Sequence, residues 1–250
     1  MNRYKLTIEY LGSNFCGWQR QKNSITVQEV LEKAAKNFFQ HKVVLFAAGR
    51  TDAGVHAEGQ VAHLDTENKY DSERVLHGIN FFLDKEVMGK DIRVKKVKKV
   101  SVSFNARFSA KKKIYRYNIL NSHYKSPIFS YNTWWISSSL NLEKMIKAAE
   151  ILKGRHDFSS FRAKGCQAKS PIKTLDNIKI TKRKSLIQLT FTAKSFLYNQ
   201  VRIMVGTLKD VGNNLIEPDD LRYILTKKLR KLSGVTAPAK GLTLLKVLYK

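Results

Sequence analysis

The apolar residues of this chain change period from two to 3.6 and back, and this change restricts its folds more than any other feature. A period of two puts alternate side chains on one face of a strand, and 3.6 puts them in a stripe along a helix. Tyr4, Leu6, Ile8 and Tyr10 alternate with Lys5, Thr7 and Glu9, which predicts a half-buried strand ended by Gly12-Ser13-Asn14. Thr26 and Glu29 then have capping-box spacing, and Val27, Val30, Leu31, Ala34, Ala35, Phe38 and Phe39 form one helical stripe. The apolar run 43–48 and the segment 60–64 read as two further strands, with 49–59 a loop between them. A helix over 72–82 follows, with Val75, Ile79 and Phe82 inward, and the basic stretch 93–100 has ambiguous periodicity.

The second half repeats the alternation. Residues 114–119 predict a strand, and a helix from Asn141 carries Leu142, Met145, Ile146, Ala149 and Leu152 on one face before Gly154 stops it. Strands recur at 178–192, helical patterns near 197–210 and from 218 to about 232, and 242–249 returns to strand character. Two α/β halves fit this order, 1–105 and 106–250. No low-complexity linker divides them, so their sheets are expected to pack into one body with a cleft between. Hydrophobic residues make up 43% of the 250, enough to fill a substantial core.

Lys and Arg number 46 against 20 Asp and Glu, a net charge of +26 that favours a polyanion through counterion release and steering. Nucleic acid is the partner that fits; an acidic membrane surface fits less well, since no amphipathic basic helix has a membrane-type face. A biased genome also enriches lysine, and only 13 of the basic residues are Arg. No stretch approaches the roughly 20 apolar residues of a spanning helix, and the N-terminus does not read as a signal peptide, so a cytoplasmic protein is expected. Cys16 and Cys166 are isolated, which suggests neither disulfides nor a CxxC metal site.

The segment 49–59 holds three glycines, Gly49, Gly54 and Gly59, around Arg50, Thr51, Asp52, His56 and Glu58. Glycine permits close approach of a ligand to the backbone, and a purely structural turn does not require so many polar side chains. Neither GxGxxG nor GxxxxGK[ST] occurs there, which disfavours a nucleotide triphosphate. On chemistry alone Asp52 also reads as a turn-capping carboxylate paired with Arg50. Metal binding by Asp52, His56, His63 and Asp65 matches no zinc spacing.

The run Gly49-Arg50-Thr51-Asp52-Ala53-Gly54-Val55-His56-Ala57-Glu58-Gly59-Gln60-Val61-Ala62-His63 closely resembles the signature of the TruA family of tRNA pseudouridine synthases. Further segments resemble the same family in the same order: Gly17-Trp18-Gln19-Arg20-Gln21, Phe104 to Ala110, Tyr115-Arg116-Tyr117, Asp157 to Phe161, Asn199 to Gly206 and Ala237 to Leu242. The departures are mild. Leu11 stands where the family often has Asp, Asn105 where it often has His, and a proline near Phe82-Leu83-Asp84 is missing.

The resemblance implies an α+β fold of two ferredoxin-like (RRM-like) halves, with mixed, mainly antiparallel sheets around a central basic cleft. It implies a cofactor-free isomerase and homodimer converting uridine to pseudouridine at positions 38, 39 and 40 of the tRNA anticodon stem-loop. Asp52 would be the catalytic carboxylate, by attack on sugar or base or by removing a sugar proton. Arg202 would form a salt bridge to Asp52, although its place beside the stripe of Val201, Met204, Val205 and Leu208 also suits a snorkelling surface Arg. Tyr115, otherwise an ordinary core tyrosine, would stack on the target uracil, and Arg50 would serve as wedge or phosphate clamp for the flipped nucleotide. Lys111, Lys112, Lys113, Arg116 and the lysines of 93–99 would position the RNA backbone. A non-catalytic RNA-binding protein, which has no need of Asp52, and a metal-dependent nuclease, whose activity a chelator would abolish, are the competing classes.

Overall fold

The computed structural model describes residues 1–249. Its elements are β1 (Asn2–Tyr10), α1 (Val27–Phe39), β2 (Phe46–Ala47), β3 (His56–Thr66), α2 (Ser72–Lys85), β4 (Ile92–Val100), β5 (Lys112–Asn121), β6 (Trp134–Ile136), α3 (Leu142–Leu152), β7 (Gly154–Asp157), β8 (Ile172–Arg183), β9 (Leu186–Ala193), α4 (Gln200–Gly212), α5 (Asp220–Lys227) and β10 (Leu242–Leu248), with short 3-10 turns between some of them. The chain forms two units: Met1–Lys111 with the C-terminal segment from Thr243, and Lys112–Leu242.

In the first unit β1 is central. It pairs antiparallel with β3, Leu6 opposite Ala62, and with β4, Leu6 opposite Val97. β2 pairs with β3 at Phe46 and His63, while β10 runs parallel to the start of β3, Thr243 opposite His56. The order β4-β1-β3-β2 with two intervening helices is the ferredoxin-like arrangement. Tyr4, Leu6 and Ile8 are fully buried, as are Leu64, Val75, Ile79 and Leu83. Each large aliphatic side chain so buried contributes roughly 1.5–3 kcal/mol. The stripe on α1 points inward except at the half-buried Phe38, and Thr26 caps the helix by accepting the Glu29 N–H.

Several boundaries differ from the sequence reading. α2 continues to Lys85, and Leu83 is buried where Phe82 was expected, because 75, 79 and 83 keep the i+4 spacing of one face. β3 begins at His56, so the last four residues of the expected loop are strand, held by pairing of Ala57 with Tyr10. The run 43–48 buries Val43, Leu45 and Ala48, but its strand is limited to Phe46 and Ala47. The ambiguous basic stretch is an edge strand with Val94 and Val97 inward. A register shift passes over Lys95 and interrupts its alternation. Exposed lysines on such an edge discourage pairing with another chain.

In the second unit β5 pairs antiparallel with β9, Tyr115 opposite Phe191, and parallel with β6; β9 and β8, then β8 and β7, continue antiparallel. Asn141 caps α3 by accepting the Lys144 N–H at 3.0 Å. Met145, Ala148, Ala149 and Leu152 are buried, whereas Ile146, expected inward, is exposed. Gly154 opens β7 rather than capping the helix, since Lys153 is already extended. The pattern from 218 to 232 splits into α5 and a 3-10 turn because Lys228 takes φ 57 and ends the helix. The class is α+β with mainly antiparallel pairing, as expected. Among the described residues no helix is long and apolar enough to cross a membrane.

Candidate active site

The loop that carries Asp52 is fixed by its neighbours on both sides. Trp18 donates its N–H to the Thr51 carbonyl at 3.1 Å, and Gly54 donates to the Phe15 carbonyl at 3.3 Å. The buried Thr51 hydroxyl bonds the Tyr10 phenol at 2.7 Å, and Gln60 Nε2 donates to the Gly49 carbonyl at 2.9 Å. Val55 N–H closes the turn on the Asp52 carbonyl at 3.1 Å, so the turn is made by main chain.

The segment Gly17-Trp18 links this loop to α1, because its carbonyls accept the N–H groups of Val27 and Gln28. Gly17 has φ +88, and a Cβ there would stand 2.6 Å from the Thr51 carbonyl oxygen. Only glycine allows that approach. Tyr10 is sealed beneath the loop, and burial pushes its phenol up to about 12 against the opposing hydrogen bonds from Thr51 and Gln60. Asp52 is half-buried and Arg50 exposed on the same loop.

Arg202 and Tyr115 belong to the second unit. Arg202 lies in the first turn of α4 beside buried Val201, Met204, Val205 and Leu208, the apolar face expected of that helix. Its Nε donates to the Ala237 carbonyl at 2.7 Å and its Nη1 to Asn199 Oδ1 at 2.9 Å. Tyr115 is 9% exposed and meets the Phe196 ring edge to face at 5.3 Å. Tyr10, Gln60, Asn199 and Ala237 had been given no role from sequence. The last three sit inside the quoted motifs, which was the available signal.

Three of the four residues weighed as metal ligands have other contacts. His56 Nδ1 accepts the Gly12 N–H at 3.0 Å and His63 Nδ1 the Ala106 N–H at 3.2 Å. Asp65 forms a bidentate bridge to Arg3 at 2.7 and 2.6 Å, and that guanidinium holds its carboxyl below the usual range. Among the described residues no group of three or more His, Cys, Asp or Glu is placed to hold a metal.

The basic residues of the first sheet divide into two kinds. Arg93 pairs with Asp84 and Lys95 with Glu9. Lys5 instead stands directly opposite Lys98, with Lys96 opposite Thr7 on the same face. Burial, then Lys98 and Lys96, push the Lys5 amine down. Its Nζ lies 4.1 Å from the centre of the Tyr249 ring.

The chain matches the family described as tRNA pseudouridine synthase over residues 6–109 and 148–250. Arg50, Asp52 and Arg202 fall inside these stretches, and Tyr115 falls between them. A tRNA pseudouridine synthase A of Ehrlichia canis (strain Jake) is 49% identical over 248 residues, 99% of this chain and 100% of that protein. Its namesake from Ehrlichia chaffeensis is 48% identical over the same shares, and one from Ehrlichia ruminantium (strain Gardel) is 46% identical over 99% of each chain. With both units matched and relatives of equal length, this chain belongs to the tRNA pseudouridine synthase family.

Proposed function

We propose that this protein isomerises uridine to pseudouridine at positions 38, 39 and 40 of the tRNA anticodon stem-loop, with Asp52 as the nucleophile. The reaction breaks the bond from N1 of uracil to the sugar, turns the base and joins C5 to the same sugar carbon. N1 gains a proton and C5 loses one, so atoms and electrons balance without a redox or energy cofactor. The observation that carries this reading is the Asp52 loop: within a family match, a half-buried carboxylate sits on a turn whose main chain is hydrogen-bonded on both flanks. Such fixed placement is what a carboxylate that must meet one reacting atom requires.

In this reading Arg202 pairs with Asp52, keeping it ionised and oriented. Tyr115 stacks on the detached uracil, which resists loss of the base without fixing its angle. A uridine in a stem must leave its stack, at a cost of roughly a few kcal/mol, and Arg50 acts as the wedge or clamp on the opened strand. Lys111, Lys112, Lys113, Arg116 and the lysines of β4 hold the backbone. Lys96 and Lys98 suit that task, being exposed and having no carboxylate partner among the described residues. The enzyme acts as a cytoplasmic homodimer.

The test is to incubate the protein with an unmodified tRNA transcript in chelator and map pseudouridine by mass spectrometry of the anticodon-arm fragment. Product at 38, 39 or 40 is expected. Tight binding without product would favour the non-catalytic RNA-binding class, and product only at other sites would refute the assigned positions.

A further inference from the structure

We infer that Asn199 is a positioning residue for this reaction: with the Ala237 carbonyl it holds the Arg202 guanidinium by uncharged acceptors, orienting it without neutralising it. The inference rests on the role proposed for Arg202.

Asn199 occupies the N-cap position of α4 but does not act as a cap. An N-cap residue ordinarily has extended backbone and its side chain accepts an N–H of the first turn. Asn199 instead has φ 58 and ψ 8, in the left-handed region, and makes no side-chain capping bond. Its Oδ1 accepts from Arg202 Nη1 at 2.9 Å. Glycine takes that backbone conformation most freely, and Asn and Asp are the side chains that tolerate it best. Glycine would offer no acceptor, and Asp would place a negative charge against the guanidinium. Of these three, only Asn supplies a neutral acceptor.

The second acceptor is equally fixed. Ala237 takes the Arg202 Nε–H on its carbonyl at 2.7 Å and returns its own N–H to the Arg202 carbonyl at 3.1 Å. The segment leading to Ala237 is pinned by Arg230, whose Nη1 reaches the Gly234 carbonyl at 3.0 Å and whose Nη2 reaches Thr236 Oγ1 at 3.1 Å. Gly234 N–H bonds Thr207 Oγ1 of α4 at 2.9 Å. These two acceptors set the direction of the guanidinium from two sides, and neither carries a charge that would neutralise it.

The experiment compares Asn199→Gly, Asn199→Asp and Arg202→Gln with wild type in pseudouridine formation on an unmodified tRNA transcript, with melting temperatures measured in parallel. Asn199→Gly should lower kcat about tenfold or more while KM stays within about twofold, since only the aim of the guanidinium is lost. Its melting temperature should stay within about 4 °C, because glycine accepts the backbone conformation. Asn199→Asp keeps an acceptor and the fold, yet should lose more kcat than Asn199→Gly because it neutralises Arg202. Wild-type kcat in Asn199→Gly, a loss confined to KM, or full activity in Asn199→Asp overturns the inference. Wild-type kcat in Arg202→Gln overturns the role of Arg202 itself. An inactive Arg202→Gln beside a fully active Asn199→Gly refutes only the part given to Asn199.

Discussion

Replacing Gly17 by alanine tests whether the Asp52 loop is held in place by the close approach of the Gly17 backbone. The new Cβ would lie 2.6 Å from the Thr51 carbonyl oxygen, where ordinary contact begins near 3.4 Å, so the loop must open by about 0.8 Å. The neighbour is backbone and cannot rotate away. Gly17 also has φ +88, which costs an L-residue roughly 1–2 kcal/mol. In a chain of this length that corresponds to a melting temperature lower by about 2–8 °C. Misplacing a catalytic group by about 1 Å costs on the order of 100-fold in rate, so kcat for pseudouridine formation should fall by tens of fold.

Gly154→Ala is the matched control. Gly154 has φ +98, but its Cβ would meet only His156 Nε2, at 3.6 Å, so it carries the backbone penalty without the clash. It should lose comparable stability and keep its kcat. The assay follows release of tritium from C5-labelled uridine in tRNA, because C5 gives up its hydrogen when the new bond forms. A Gly17→Ala enzyme whose kcat matches that of Gly154→Ala would refute the reasoning.

Two further predictions concern the support of the loop and the basic face. Since burial pushes the Tyr10 phenol up to about 12, the fold favours its neutral form; that stabilisation is complete below pH of about 10 and is lost as pH rises towards 12. Chemical denaturation should show wild type losing up to roughly 2–3 kcal/mol across this window that Tyr10→Phe does not lose, and parallel curves would contradict it. Lys96→Gln/Lys98→Gln should reduce the slope of log Kd for tRNA against log salt by about 1.5–2. It should not lower the melting temperature, because it relieves the like-charge pair Lys5–Lys98. Lys179→Gln/Lys182→Gln, the same charge change at two exposed positions of β8, is the comparison; an equal effect there would show that position does not matter.

What could be read from the sequence follows from the range of the interactions involved. The stripes of α1 and α4 were legible because a helix repeats its own period over three turns or more, and every member of the α4 stripe is buried. The period of β4 was not legible, because the register shift over Lys95 depends on β1, some 90 residues away in sequence. β3 was begun too late for the same reason: His56 to Gly59 has no clear alternation and becomes strand through its partner Tyr10. Resemblance, rather than local chemistry, singled out Asp52, which by itself read as a turn-capping residue. The groups that fix its loop, Tyr10 through Thr51 and Gly17 through Trp18, lie more than 30 residues before it and meet it only in the folded chain.

The central claim is tested most directly by the single-turnover rate of pseudouridine formation in Asp52→Asn, with enzyme in excess over unmodified tRNA. Asparagine keeps the size and the main-chain turn but removes the anionic oxygen to which the proposed attack is assigned. The account predicts no detectable pseudouridine in Asp52→Asn while tRNA binding stays within a few-fold of wild type. Product formed by Asp52→Asn at the wild-type rate would contradict it.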